Sequence, residues 1–216
     1  MQAALFLSQH GPMIPSNALY IVEGGGENAQ QALVAAGGCG SNLACINGII
    51  QSTTAGYVGD IQTIDTELEA AGAKNIVVWN VPNIGVTPAV FAEGSAASIL
   101  GTTIASVMND ALLAAIGNDP DIKLFDDFSL LNEVIADPGA FLLSNVTDAC
   151  AQFIACDPST FLFWDGVHPT SAAETIISDA IESLVVPEPS ALALLVVALL
   201  GLGFVRWAGG PRLCSG

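Results

Sequence analysis

The chain has 216 residues, 52% of them hydrophobic, which is enough for one packed domain with an appendage and too apolar for a disordered polypeptide. The formal charge of −17 is unevenly placed: residues 1–186 carry −18, with Lys74 and Lys123 as their only lysines or arginines, while residues 187–216 carry +1. A body with so few cations is repelled by phosphate backbones and anionic lipid headgroups, which argues against nucleic-acid binding and electrostatic membrane docking.

Met1 to Gly11 lacks the cationic-then-apolar order of an export leader. Ala18 to Val22 is a short apolar run ending in Glu23, Gly24, Gly25, Gly26, Glu27 and Asn28, and it reads as a buried strand opening into a glycine-rich loop. Val58, Ile61, Ile64, Leu68 and Ala71 recur at helical spacing, followed by a second strand-like run, Ile76 to Trp79, that ends at Asn80, Val81 and Pro82. Ile104, Val107, Met108, Leu112 and Ile116 form the next helical stripe. A weaker strand pattern, Ile122 to Phe125, ends at Asp126 and Asp127, and the last helical stripe runs from Ala173 through Ile176, Ile177, Ala180 and Ile181 to Leu184.

Short apolar strands alternating with amphipathic helices indicate a parallel sheet covered on both faces, whose ligand crevice lies beyond the strand C-termini. Gly26 to Asn28, Asn80 to Asn83 and Asp126 all lie at such ends. The close pairs Cys39 with Cys45 and Cys150 with Cys156 suit two small disulfide loops, although spacing leaves the pairing open. A metal site is the weaker reading of these cysteines, because neither pair has a zinc-knuckle gap and the only histidines are His10 and His168.

The richest chemical signal is Trp164-Asp165-Gly166-Val167-His168-Pro169, just ahead of the last helix. An aspartate held three residues from a histidine can accept a hydrogen bond from one imidazole nitrogen, fix the tautomer, and leave the other nitrogen to take a proton from a hydroxyl nucleophile. At the far end Pro187, Glu188 and Pro189 break the final helix, and residues 189–205 carry no charge before Arg206. A helix of that length is about 25 Å long against a hydrocarbon core of about 30 Å, so membrane insertion through residues 189–205 is expected, with thinning or as a transient anchor.

Three segments, NALYIVEGGGEN (17–28), NVPNIGVTP (80–88) and FWDGVHPT (163–170), resemble in order and spacing the GDSL or SGNH hydrolases of the phospholipase, lecithinase and hemolysin-like branch. The resemblance implies a three-layer α/β/α, flavodoxin-like parallel sheet over residues 1–186, with 187–216 as a separate tail. It also implies His168 as general base, Asp165 as its orienting acid, Asn28 as an oxyanion donor, and Gly26 as the point where backbone approaches an ester substrate; no metal or organic cofactor is implied. Two departures stand out: Ala29 occupies the place of the family's aspartate, and no Gly-Asp-Ser motif precedes Ala18. Ser8 and Ser16 lack the glycine turn a nucleophile needs. The expectation is a chain that lacks the N-terminal strand and the catalytic serine of a longer enzyme, and that is nearly inactive by itself. Val186-Pro187-Glu188-Pro189-Ser190, the apolar run and Arg206 resemble a PEP-CTERM sorting signal, which implies an exported cell-envelope or extracellular protein and an exosortase-type membrane protease as partner. The alternative function is a non-catalytic surface or matrix binding protein on the same scaffold. Asn83 reads as a turn residue, Trp79 and Trp164 as packing near the site, and Glu174 as a helix-dipole partner.

Overall fold

The structure, a computed structural model, describes residues 2–186; the tail expectations fall on 187–216, outside the described residues. Three parallel strands form the main sheet in the order β1 (Tyr20–Val22), β2 (Ile76–Trp79), β3 (Ile122–Phe125), with Tyr20 opposite Ile76 and Ile76 opposite Ile122. The two later strands coincide with their apolar runs. β1 starts two residues after Ala18, because the Ala18 N–H turns back to the Pro15 carbonyl and the ladder begins only where the Tyr20 N–H reaches Asn75. The middle strand is covered on both sides, and Ile76, Val77 and Val78 are fully buried, as a continuous apolar run requires.

Alternation along the strands sorts the two faces. Val22, Ile76 and Val78 join a core with α2 (Gly26–Gly37), α3 (Leu43–Ala70) and α5 (Ser95–Ile116). Ile21 and Trp79, of opposite parity, face a crevice walled by α6 (Asp127–Ala136) and α7 (Ser171–Val185). A smaller parallel pair, β4 (Asn145–Ala149) with β5 (Phe161–Phe163), closes a second cluster around Val134, Leu143, Leu162, Phe163 and Ala173. The architecture is an α/β fold with a small parallel sheet flanked by helices, in keeping with an SGNH-like arrangement. Residues 2–181 form one compact unit, and α7 continues beyond it.

The structure pairs Cys39, in the link after α2, with Cys45 in the first turn of α3, and Cys150 with Cys156 between β4 and β5, with Cα separations of 5.8 and 5.5 Å. α1 (Gln2–His10) lies ahead of β1 and stacks Phe6 on Tyr20 at 6.2 Å between ring centroids.

Among the described residues α5 is the one helix long and apolar enough to cross a membrane. Its Ile104, Ala105, Met108 and Leu112 are buried in the core, and its polar side chains fasten the loop after β2: Ser98 donates to the Gly85 carbonyl, Thr102 to the Asn83 side chain, and Asn109 bonds both the N–H and the C=O of Val81. Gly85 and Gly101 allow that close approach. A Cβ at Gly85 would lie 2.2 Å from the Ser98 carbonyl oxygen and 2.6 Å from the Thr102 nitrogen, both backbone atoms that cannot step aside. Gly85→Ala is therefore expected to cost about 2–3 kcal/mol or more in urea unfolding, and more than Gly101→Ala, whose nearest contact is 3.1 Å.

Candidate active site

The loops leaving β1, β2 and β3 meet α6, α7 and β5 around a crevice of about 750 Å³. Its long wall is apolar: Leu130 and Val134 of α6, Leu162 and Phe163 of β5, and Ala173, Ile177 and Ile181 of α7. This volume suits a ligand the size of an acyl chain. The loop after β1 depends on Gly25, which has φ +95° and whose absent Cβ would fall 2.6 Å from the Tyr57 ring and 2.7 Å from Val81. Only glycine meets both demands. Gly26 follows with open space where its Cβ would be, and it lines the crevice.

Asp165 and His168 come together as the motif demands. The His168 Nδ1 lies 2.8 Å from Asp165 Oδ2, while Asp165 Oδ1 accepts the backbone N–H groups of Val167 and His168, each at 2.8 Å. Those bonds, from His168 first and Val167 second, hold the carboxyl at about 2, below its ordinary value, so it stays ionised and can only accept. Nδ1 must then carry the proton in the neutral ring, and Nε2 is left as the bare acceptor. The loop is pinned from three sides: the Trp164 N–H donates to the His168 carbonyl, Ala151 N–H to the Trp164 carbonyl, and Ala89 N–H to the Gly166 carbonyl, where Gly166 rests against α4 (Pro88–Ala92). Trp164 itself is half exposed and is not among the lining residues, whereas Trp79 lines the crevice and meets Phe125 edge-on at 5.2 Å.

His168 and Gly26 line the same crevice, and Glu27 and Gln30 of α2 line it with them. Asn28, between those two, is half-buried and is not among the lining residues. On a helix, positions 27 and 30 share a face and 28 turns about 100° away. The hydroxyls on the lining are Thr87, whose Oγ1 donates to the Ile84 carbonyl, and Ser178 on α7; neither bonds His168. Asn80 and Asn83 serve as scaffold. Asn80 donates to Asp126 at 2.7 Å and accepts from the Phe128 N–H, and Asn83 is buried, donating to Asn132 and accepting from Gly85 and Thr102. Asp126 also caps α6 through the Ser129 N–H.

Four acids of a kind that composition alone assigns to the solvated surface, Glu23, Glu27, Asp127 and Glu174, lie on the crevice. Asp127, in the first turn of α6, is buried, and desolvation, then Glu23 and Asp126, raise its carboxyl to about 6. Glu23 lines the crevice beside it, and so does Glu174. At the opposite end of the sheet Glu69, Asp119 and Asp121 form an acidic group in which Asp121 is already paired with Lys74.

No family model matches the chain. It is 30% identical over 180 residues to an uncharacterized protein in the trpE-trpG intergenic region of Pseudomonas putida, covering 76% of this chain and 28% of that protein. It is 30% identical over 185 residues to Esterase EstA of Pseudomonas aeruginosa, covering 78% of this chain and 26% of the relative, and 28% identical over 151 residues to the GDSL esterase/lipase APG of Arabidopsis thaliana, covering 57% and 42%. The chain thus spans about a quarter of the length of the bacterial relatives it matches. With a histidine and aspartate joined on a crevice-lining loop and these matches across most of the chain, the protein is a distant homologue of the GDSL/SGNH-family esterases and lipases.

Proposed function

We propose that this chain carries the base half of an ester-hydrolase site acting on acyl esters or lipids. The observation that carries the reading is the 2.8 Å contact between Asp165 and His168 Nδ1, on a loop that lines an apolar crevice of about 750 Å³. In this reading a serine-type hydroxyl attacks the acyl carbon while His168 Nε2 takes its proton; the imidazolium, steadied by Asp165, gives that proton to the departing alcohol. Water then repeats the step in reverse and releases the acid. Gly26 and the first turn of α2, which carries Asn28, supply the side of the crevice nearest the developing oxyanion.

The hydroxyl comes from outside the residues of this crevice. β1 lies at the edge of the sheet, its outer side takes no strand partner among the described residues, and Ile21 is 51% exposed beside the crevice. A further strand bearing the nucleophile fits that edge and brings it within reach of His168. The 187–216 segment, in the same proposal, is a sorting signal read by an exosortase-type protease and holds the protein at the cell envelope; its support is the sequence alone. A non-catalytic binding protein on this scaffold is favoured by one observation, the lack of any hydroxyl bonded to His168 among the described residues.

The purified chain is expected to hydrolyse p-nitrophenyl esters at background rate, unchanged by His168→Ala. The polypeptide encoded when any contiguous upstream reading frame is included is expected to hydrolyse them in a His168-dependent manner. Turnover by the chain alone that His168→Ala abolishes would overturn the external nucleophile, and a longer product without His168-dependent turnover would leave the binding protein.

A further inference from the structure

We propose that Glu23, Asp127 and Trp79 form a subsite for an organic ammonium group, so that the crevice takes a ligand with a cationic head and an apolar chain. The assignment deepens the esterase reading by naming the substrate class, and it rests on that reading for its catalytic meaning.

The three residues end three adjacent strands. Glu23 follows β1, Trp79 closes β2, and Asp127 follows β3 by two positions, so the parallel registers bring them to one end of the crevice. Asp127 is only 7% exposed, yet its carboxylate accepts no hydrogen bond among the described residues, and its nearest charged influences are the like charges of Glu23 and Asp126. Asp126 is already satisfied by Asn80 and the Ser129 N–H. A largely buried carboxylate that accepts no hydrogen bond is costly to ionise, and the like charge of the exposed Glu23 beside it raises that cost. A cation in the crevice relieves both.

No lysine or arginine is among the described lining residues, so among them an anionic head would meet only the like charges of Glu23, Glu27, Asp127 and Glu174. An alkylammonium head also suits the indole of Trp79, whose face attracts cations and whose bulk suits methyl groups. The apolar wall from Leu130 to Ile181 then receives the chain.

The test is calorimetric titration of the full chain at pH 8 in 0.15 M salt, which screens the diffuse attraction of a −17 protein. The probes are decyltrimethylammonium and decyldimethylamine oxide, which share chain length and head size and differ in net charge. The ammonium is expected to bind about tenfold more tightly. Glu23→Gln and Asp127→Asn are each expected to remove most of that preference, while Asp60→Asn, an exposed acid on α3 away from the lining, leaves it in place. Equal affinity for the two probes, or a preference that survives both crevice substitutions, overturns the subsite. The readout needs no turnover, so failure of the esterase reading, seen as a longer polypeptide whose turnover does not depend on His168, is distinguishable from failure of this one.

Discussion

Asp65→Asn is expected to stabilise the protein at pH 8 by up to about 4 kcal/mol and to change little near pH 4. Asp65 sits on the inward face of α3, 3% exposed, with both carboxylate oxygens buried and unbonded among the described residues. Burial, followed by the charges of Glu69 and Asp119, pushes its carboxyl up to about 7. An acid whose folded pKa exceeds its unfolded value near 4 keeps its proton in the native state after the unfolded chain has released it. Over that window the native state binds more protons, so stability falls as pH rises from about 4 to about 7 and stays low above it. Asp127, raised to about 6, adds to the loss in the same direction over the lower part of the window. An amide of the same shape cannot ionise and escapes the penalty. Urea unfolding at pH 4.5 and pH 8 of both proteins checks this; a wild type equally stable at the two pH values, with no gain from Asp65→Asn at pH 8, contradicts it.

The largest kinetic effects concern His168 and Asp165. Once a hydroxyl is present at His168 Nε2, His168→Ala is expected to lower kcat/KM by about 10⁴-fold or more, and Asp165→Asn by about 10³-fold, mostly in kcat. The asparagine variant separates two jobs of one side chain. Asp165 Oδ1 shapes the loop by accepting from Val167 and His168 backbone N–H groups, which an amide oxygen can still do. Asp165 Oδ2 faces Nδ1, where an amide NH₂ donates instead and drives the ring proton to Nε2. The loop is therefore kept while the base is lost. An Asp165→Asn enzyme with full kcat would mean that the carboxylate serves only the turn. Because the carboxyl is held at about 2, its own protonation does not limit activity at any ordinary assay pH.

Much of the frame was legible because burial wrote it into the residue pattern. Ile76–Trp79 is an apolar run that fits a covered parallel strand, Ile122–Phe125 is a weaker pattern broken by the exposed Lys123, and both are strands to the residue. The stripe from Val58 to Ala71 marks only the later half of α3; the earlier half, from Leu43, is largely exposed with small polar residues, and its one local signal was Asn42, which accepts the Cys45 N–H as a cap. β4 carries no apolar run, since Asn145, Thr147 and Asp148 are polar and their strand exists only through pairing with β5. At the site, a six-residue loop with its own internal hydrogen bonds was readable from spacing. Glu23 and Asp127 were not, because in a chain this acidic one more carboxylate looks like solvated surface; burial sets Asp127 apart, and only its place on the crevice lining sets Glu23 apart. Asn28 and Glu27 differ by one position in sequence and by a helical turn angle in space, a distinction that motif matching does not carry.

The most direct measurement is the tautomer of His168. Long-range ¹H–¹⁵N correlation of the imidazole ring at pH 9, in the whole chain, is expected to give a neutral ring protonated at Nδ1, with Nε2 bare and its resonance moving when an alkyl ester fills the crevice. A ring protonated at Nε2, or an Nε2 indifferent to a ligand that saturates the crevice, contradicts the assignment of His168 as a base held ready by Asp165.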